Sequence, residues 1–254
     1  MSARSVVLAY HAVGPIPRSQ LRNTFVPLDV FERQMDFLAR RRSVVSLDEL
    51  VRAPAAGGTV RVAITFDDAY RSTLTRALPV LERHRFPATV FAPTAWLGDR
   101  NRWDAAREDL ELELMSDSEI VECSQRGFEV GSHGHRHVDL SRASEEEVRE
   151  DLRASVERIS ALLGRSPRYL AYPYGRASEL ARKAAADAGF EEAFALEWQD
   201  EPFARSRVPI FPHDRGWRFA FKVSGRYAGL RRSRPVAAGY ARLIRPLRRA
   251  LSSA

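Results

Sequence analysis

Arg61-Val-Ala-Ile-Thr-Phe-Asp-Asp68 is the stretch whose reading decides the fold. Its β-branched and aromatic residues favour an extended strand, and the strand runs directly into two adjacent carboxylates, Asp67 and Asp68. An apolar strand ending in Asp-Asp aims both acids at one point in space. Sixty-five residues further on stands His133-Gly-His-Arg-His137, where two imidazoles four residues apart can supply neutral nitrogen ligands to that same point. One acid and two histidines make a metal half-shell with open positions, and the second acid is left to act on water. The pattern predicts a metal-dependent hydrolase.

Working outward, short β-rich runs alternate with helical patterns. Strands are expected at Val6–Tyr10, Val60–Phe66, Ala88–Ala92, Phe128–Gly131, Tyr169–Ala171 and Glu192–Ala195. Helices are expected at Leu28–Arg41, Thr73–Arg85, Asp117–Gln125, Ser144–Leu163 and Glu179–Ala188. Ser144-Glu-Glu-Glu147 is a capping box, and Gly164 and Pro167 mark the end of the helix it starts. Six or seven such alternations predict an α/β fold with a parallel sheet flanked by helices, closed most economically as a (β/α) barrel. Working residues in such barrels gather at the C-terminal ends of the strands. Here His11 follows the first strand, Asp67 and Asp68 the second, His133 the fourth and Tyr174 the fifth. Candidates chosen for their chemistry all fall on one rim.

The chain has 254 residues, 44% of them hydrophobic and 29% charged, which fits one large globular domain and excludes a disordered or collagen-like chain. The apolar run Val6–Tyr10 is too short for the core of a signal peptide, and no stretch approaches transmembrane length. The expectation is a cytoplasmic protein. The formal net charge is +7, but residues 226–254 hold eight arginines and no acid, leaving 32 basic and 33 acidic residues in 1–225. A neutral catalytic body (1–225) therefore precedes a basic tail (226–254). Apolar residues at 236, 240, 243, 244, 247 and 251 form a helical stripe in that tail, with Arg242, Arg245 and Arg249 on the other side. Such a helix can rest on an anionic membrane surface at the inner membrane face, or cap the barrel with a solvated arginine face. Aromatic residues are not interleaved with the arginines, which argues against nucleic-acid binding.

Other histidines and the lone thiol read as structural. On an extended strand, His133, His135 and His137 would share a face and form a three-histidine site. Gly131 and Gly134 favour a loop, with His133 and His137 as ligands and His135 outside. Two histidines and one carboxylate also describe non-haem iron oxygenases, but strand–helix alternation argues against the jelly-roll context usual for them. Cys123, the single cysteine, lies in a helical pattern and is read as a packing residue, and His84 as a satisfied helix histidine.

With these motifs in place, the chain resembles the polysaccharide deacetylase family (the NodB-homology domain, carbohydrate esterase family 4). Thr65-Phe-Asp-Asp68 resembles its first motif, Gly131-Ser-His-Gly-His-Arg-His-Val-Asp-Leu140 its second, and Ala171-Tyr-Pro-Tyr-Gly175 its third. Phe86-Pro-Ala-Thr-Val-Phe91 resembles the strand between the first two. The resemblance runs from about residue 5 to about 213. It implies a distorted (β/α)7 barrel in which Asp68, His133 and His137 bind a divalent metal, Zn²⁺ being the expected ion. It further implies Asp67 as general base and the Tyr174 backbone N–H as an oxyanion donor.

Three departures from the family pattern stand out. Gly134 replaces the usual Ser or Thr, removing a hydroxyl that would brace the metal loop. Ala171 replaces an arginine that in many members orients the base, and the usual Asp-x-x-Asp-Trp partner segment is absent. The late histidine that usually acts as acid has only His213, in Phe211-Pro-His-Asp214, as a poor match. A branch of the family begins with Tyr-His and reads Ala-Tyr-Pro-Tyr-Gly, as this chain does at Tyr10-His11. That branch implies His11 as acid, preferred here over His213. The activity so implied is removal of acetyl groups from N-acetylated sugars. A non-sugar amide or ester, and a catalytically degenerate barrel binding glycan or membrane, are the alternatives. Trp96 and Trp103, after the third strand, can stack on a sugar ring, and core packing accounts for them as well.

Overall fold

A computed structural model of the chain describes residues 5–52, 59–104, 110–197 and 201–227. Residues 228–254, and with them nearly all of the expected basic amphipathic tail, lie outside the described residues. In chain order the first elements are β1 (Ser5–Tyr10), β2 (Ala12–Val13), β3 (Phe25–Val26), α1 (Leu28–Arg41), β4 (Ser43–Val44) and α2 (Leu47–Arg52). Next come β5 (Arg61–Phe66), α3 (Leu78–His84), β6 (Thr89–Ala92), α4 (Asp117–Gln125), β7 (Glu129–Ser132) and α5 (Glu145–Leu163). The last are β8 (Tyr169–Ala171), α6 (Glu179–Asp187), β9 (Glu192–Ala195), β10 (Arg205–Ser206), β11 (Val208–Pro209) and α7 (Trp217–Lys222).

The main sheet runs β10-β9-β8-β7-β6-β5-β1-β11, with every pairing along it parallel. Its two ends are consecutive in sequence. Arg205 and Ser206 pair with Phe194 and Ala195 of β9, while Val208 and Pro209 pair with Leu8 and Ala9 of β1. A single extended passage, 205–209, thus bridges both edges and brings the sheet to a nearly closed barrel of seven strand positions. The ring is uneven: β1 and β5 share six register pairs, whereas β7 and β8 meet at Ser132↔Leu170 alone. This matches the expected distorted (β/α)7 barrel.

All six expected strands are present. The seventh, closing passage escaped the sequence because its two-residue pieces are polar at Arg205, Ser206 and Arg207 and show no period-two pattern. The expected helix over Thr73–Arg85 begins instead as a π-turn, Thr73–Ala77, in which the Leu78 N–H bonds to the Thr73 carbonyl. Pro79 explains the slip, since it cannot donate to the carbonyl four residues back. The capping boxes at Ser116/Glu119 and Ser144/Glu147 are formed, and Gly164 closes α5 at φ 68°.

Strand alternation sets the layers. Val6, Leu8 and Tyr10 of β1 and Val62, Ile64 and Phe66 of β5 face the helices, packing with Val30, Phe31 and Met35 of α1. Val7 and Ala63 face the barrel interior with Phe91, Tyr169 and Phe194, and Leu47 and Leu50 of α2 join that cluster. Each large apolar side chain so buried is worth about 1.5–3 kcal/mol. The same alternation carries 63, 65 and 67 along the inner face of β5, so Asp67 continues the interior row. Cys123 is fully buried in α4 and its thiol is pushed up to about 12 by that burial, so it is a packing residue. No helix among the described residues is long and apolar enough to cross a membrane.

Candidate active site

The two acids at the end of β5 turn apart because the chain changes hand between them. Asp68 and Ala69 have φ of 67° and 48°, in the left-handed region that costs a non-glycine residue free energy. His137 (φ 57°) and Tyr174 (φ 59°) share that conformation. Four of the six non-glycine residues at positive φ among the described residues therefore sit at this rim, where strain concentrates at working sites.

Asp68, His133 and His137 form the half of the candidate site that could hold a metal ion. Asp68 Oδ1 lies 3.3 Å from His133 Nε2 and 3.2 Å from His137 Nε2, and all three side chains are buried. That oxygen has no hydrogen-bond partner among the described residues. A buried, unsatisfied carboxylate oxygen facing two imidazole nitrogens is the donor set of a three-ligand divalent metal site with a position left open. Burial alone would raise the Asp68 pKa, but the imidazoles of His133 and His137 hold it well below the carboxylate range. His133 directs Nε2 to the site because its Nδ1–H donates to the Ala171 carbonyl at 2.7 Å, which fixes tautomer and ring plane. His135 stands outside, its Nδ1 2.8 Å from Thr94 Oγ1, as the loop reading expects.

The loop carrying these histidines is braced in a way the sequence did not suggest. Asp151 of α5, 1% exposed, accepts the backbone N–H groups of His135 at 2.7 Å and Arg136 at 2.9 Å. Gly134 is what admits it: φ is +73°, and a Cβ there would stand 2.7 Å from Asp151 Oδ2. The hydroxyl expected to be missing at 134 is replaced by a carboxylate from the following helix. Ser132 Oγ adds an acceptor for the Gly134 N–H at 3.1 Å.

Asp67, the expected base, stands in the other half. Arg207 grips it bidentately, Nη1 to Oδ1 at 2.7 Å and Nη2 to Oδ2 at 2.8 Å, with the arginine fully buried. Arg207 Nη1 also donates to Thr65 Oγ1 at 3.1 Å. Burial presses the Asp67 pKa upward, and the charge of Arg207 overcomes it, leaving the carboxyl below its ordinary value. Ala171 therefore does not leave the base without an arginine. The guanidinium arrives from the residue between β10 and β11, two strand positions from Ala171 of β8. The flanking buried Val208 and Ile210 were the only signal for it.

His11 Nε2 lies 3.9 Å from Asp67 Oδ2, with its side chain 23% exposed, so it reaches both the base and solvent. His213 is exposed and stacks on Phe211 at 5.5 Å. Of the two candidate acids, the fold brings His11 to the acid pair. Tyr174, in the sharp turn Pro173–Gly175, rests its ring on His137 at 4.9 Å. Trp103 stacks on His137 at 4.3 Å and Trp96 meets Trp103 edge-on at 5.6 Å, so both flank the site. His84 pairs with Asp36 at 3.3 Å, away from this rim, as a satisfied helix residue.

A parallel barrel with one acid and two histidines converging at its rim, beside a second acid clamped by arginine, has the donor set of a metal-using hydrolase. Residues 56–193 match the family model described as polysaccharide deacetylase, more than half of the chain, and the chain belongs to that family. The chain is similar to the poly-β-1,6-N-acetyl-D-glucosamine N-deacetylase of Staphylococcus aureus (strain MRSA252), with 27% identity over 190 residues, 70% of this chain and 63% of that protein. It thus spans less than two thirds of that relative's length. Among solved structures, IcaB from Ammonifex degensii superposes with a TM-score of 0.74 at 25% identity, covering 87% of this chain and 98% of that one. The Streptococcus pyogenes deacetylase PplD, in complex with acetate, shares the fold with a TM-score of 0.75 at 20% identity, covering 88% and 100%.

Proposed function

We propose that this protein is a metal-dependent deacetylase that removes acetyl groups from N-acetylated sugars of a glycan or glycan precursor. The observation that carries the reading is the division of labour between adjacent acids. Asp67 has both oxygens committed to Arg207, whereas Asp68 turns toward two imidazoles an oxygen with no hydrogen-bond partner among the described residues. The family and the N-deacetylase activity named for the Staphylococcus aureus relative support an N-acetylated sugar as substrate.

Asp68, His133 and His137 would hold a divalent metal, Zn²⁺ by their donor set, which when bound would supply Lewis-acid polarisation of the acetamide carbonyl. Asp67 accepts a proton from the attacking water, and Arg207 keeps that carboxylate ionised and aimed. The Tyr174 backbone N–H serves the developing oxyanion, a kind of contribution worth roughly 3–4 kcal/mol per donor. As the carbon–nitrogen bond breaks, His11 gives its proton to the departing nitrogen. The water oxygen ends on acetate and the sugar leaves as a free amine. Acetate release from N-acetylglucosamine oligomers, compared between wild type and Asp67→Asn at equal Zn²⁺ loading, tests the reading. Wild-type-like turnover in the variant overturns it.

The stretch 226–254 we read as a contact for an anionic membrane surface at the cytoplasmic face. The support is the apolar stripe opposite Arg242, Arg245 and Arg249. Co-sedimentation with anionic liposomes that survives truncation after Gly225 removes this part of the proposal.

A further inference from the structure

The two imidazoles of the metal half are held by different forces. His133 is fixed by a hydrogen bond from Nδ1 to the Ala171 carbonyl. His137 Nδ1 is buried with no hydrogen-bond partner among the described residues. A metal-binding histidine ordinarily uses its second nitrogen to donate to a carboxylate, carbonyl or water, which sets the ring's orientation. Among the described residues nothing gives His137 that handle, and it also sits at a strained φ of 57°. Something else must set its ring plane.

Trp103 occupies the place where that force has to come from. Its ring lies 4.3 Å from the His137 ring at an interplanar angle of 28°, a stacked contact. The other rings against His137, Tyr174 at 63° and His133 at 64°, meet it edge-on. Trp103 is in turn tied to the histidine's own loop. Trp96 packs edge-to-face on Trp103 at 69°, and its Nε1–H donates to the carbonyl of Arg136, the residue before His137, at 3.1 Å. Trp103, His137, Arg136 and Trp96 thus form a closed circuit of contacts.

We propose that Trp103 is the positioning residue for His137, holding its ring by stacking and favouring the metal-loaded form over the empty one. This rests on the reading of Asp68, His133 and His137 as metal ligands. When Nε2 gives its lone pair to a cation, the imidazole ring becomes electron-poor. The face of an indole carries negative charge density and attracts an electron-poor ring more strongly than a neutral one. The stack therefore tightens on loading, and by thermodynamic linkage it raises metal affinity. A residue that merely filled volume beside His137 would have no such preference.

Zn²⁺ titration of the full chain by calorimetry, with Trp103→Phe and Trp103→Leu beside wild type, separates these roles. The phenylalanine keeps a π face and the leucine keeps apolar bulk alone. Trp103→Leu should bind Zn²⁺ about tenfold more weakly, the lower end for loss of a residue supporting a metal ligand, and Trp103→Phe should fall within a few-fold of wild type. Equal affinity of Trp103→Leu and wild type, or equal weakness of the two variants, overturns the inference. Thermal unfolding of the metal-free proteins shows whether the leucine variant is folded. A second readout needs the phenylalanine variant alone. The change in tryptophan emission on Zn²⁺ binding should be present in wild type and lost in Trp103→Phe, and its persistence there overturns the inference. Failure of wild type to bind Zn²⁺ at all sinks the ligand assignment itself, a result distinct from intact binding that ignores Trp103.

Discussion

On one side of the rim, Asp68, His133 and His137 come from two short stretches 65 residues apart, brought together by the neighbouring strands β5, β6 and β7. One left-handed turn frees Asp68 from the strand, and one loop over Gly134 returns His137 to the side of His133. On the other side, His11, Asp67 and Arg207 come from three strand positions, and Arg207 is 140 residues from Asp67. That half exists only once the passage 205–209 has joined β9 to β1. The metal half is therefore assembled by three neighbouring strands, and the base half is completed by barrel closure. Damage to the first should show in metal content, and damage to the second in rate, pH dependence and stability.

The largest expected effects fall on the adjacent acids. Asp68→Ala should lose both metal and turnover. Asp67→Asn should retain about one metal per chain, while turnover falls by roughly a hundredfold or more, the scale of a lost acid–base group. Metal analysis beside acetate release measures both. If Asp67→Asn also loses the metal, the separation into halves is broken.

His11→Gln should reduce kcat by roughly a hundred- to ten-thousandfold with metal content unchanged. His213→Gln, at an exposed position, should leave it untouched. Reversal of these outcomes would move the acid to His213 and dissolve the base half as drawn.

Arg207→Met tests closure directly. Leaving a buried carboxylate unpaired costs roughly 3–5 kcal/mol, to be read from urea unfolding at neutral pH. The wild-type ion pair lowers the Asp67 pKa, so it contributes stability above the unfolded-state pKa and loses it as pH falls through the folded value. The variant should accordingly be most deficient near neutrality and approach wild type in acid. Its activity should lose the acid side of the pH profile at higher pH than wild type, because burial then raises Asp67 against the charges of His133 and His11 alone. An unchanged profile would deny Arg207 any influence on the base.

The smallest effect belongs to the metal loop. Gly134→Ala places a Cβ 2.7 Å from Asp151 Oδ2 at a φ of +73°, and should cost about 1–2 kcal/mol with weaker Zn²⁺ binding. Adding Asp151→Ala should not restore affinity, since the His135 and Arg136 N–H groups then lose their acceptor. Full restoration would mean that the carboxylate fills space without bracing the loop.

Much of this was legible in the chain. The six strands on which the barrel is built, the rim where the chemistry gathers, and Asp67, Asp68, His11, His133 and His137 could all be read from apolar runs ending in polar residues. His135 was set aside because Gly134 signals a loop, and its ring turns to Thr94 instead of the Asp68 group. Arg207 was not legible, since the closing passage is too short and polar to carry a strand pattern and the partner it meets is remote in sequence. Asp151 was hidden for a related reason: on a helix, a lone acid among Glu145, Glu146, Glu147 and Glu150 looks like solvated surface until packing buries it. Trp103 could be placed near the site but not on His137, because loop conformation lies beyond periodicity.

Sequence by itself determined the alternation of strand and helix, the parallel barrel and the residue types delivered to its rim, because these follow from side-chain period and strand propensity. It could not tell two neighbouring aspartates apart by physics alone. Tertiary structure made that choice: the inward face of β5 carries Asp67 into the grip of Arg207, and the left-handed turn swings Asp68 out to the imidazoles. Each carboxylate is set apart by the groups that burial brings beside it: Arg207, 140 residues away, for Asp67, and the imidazoles of His133 and His137 for Asp68.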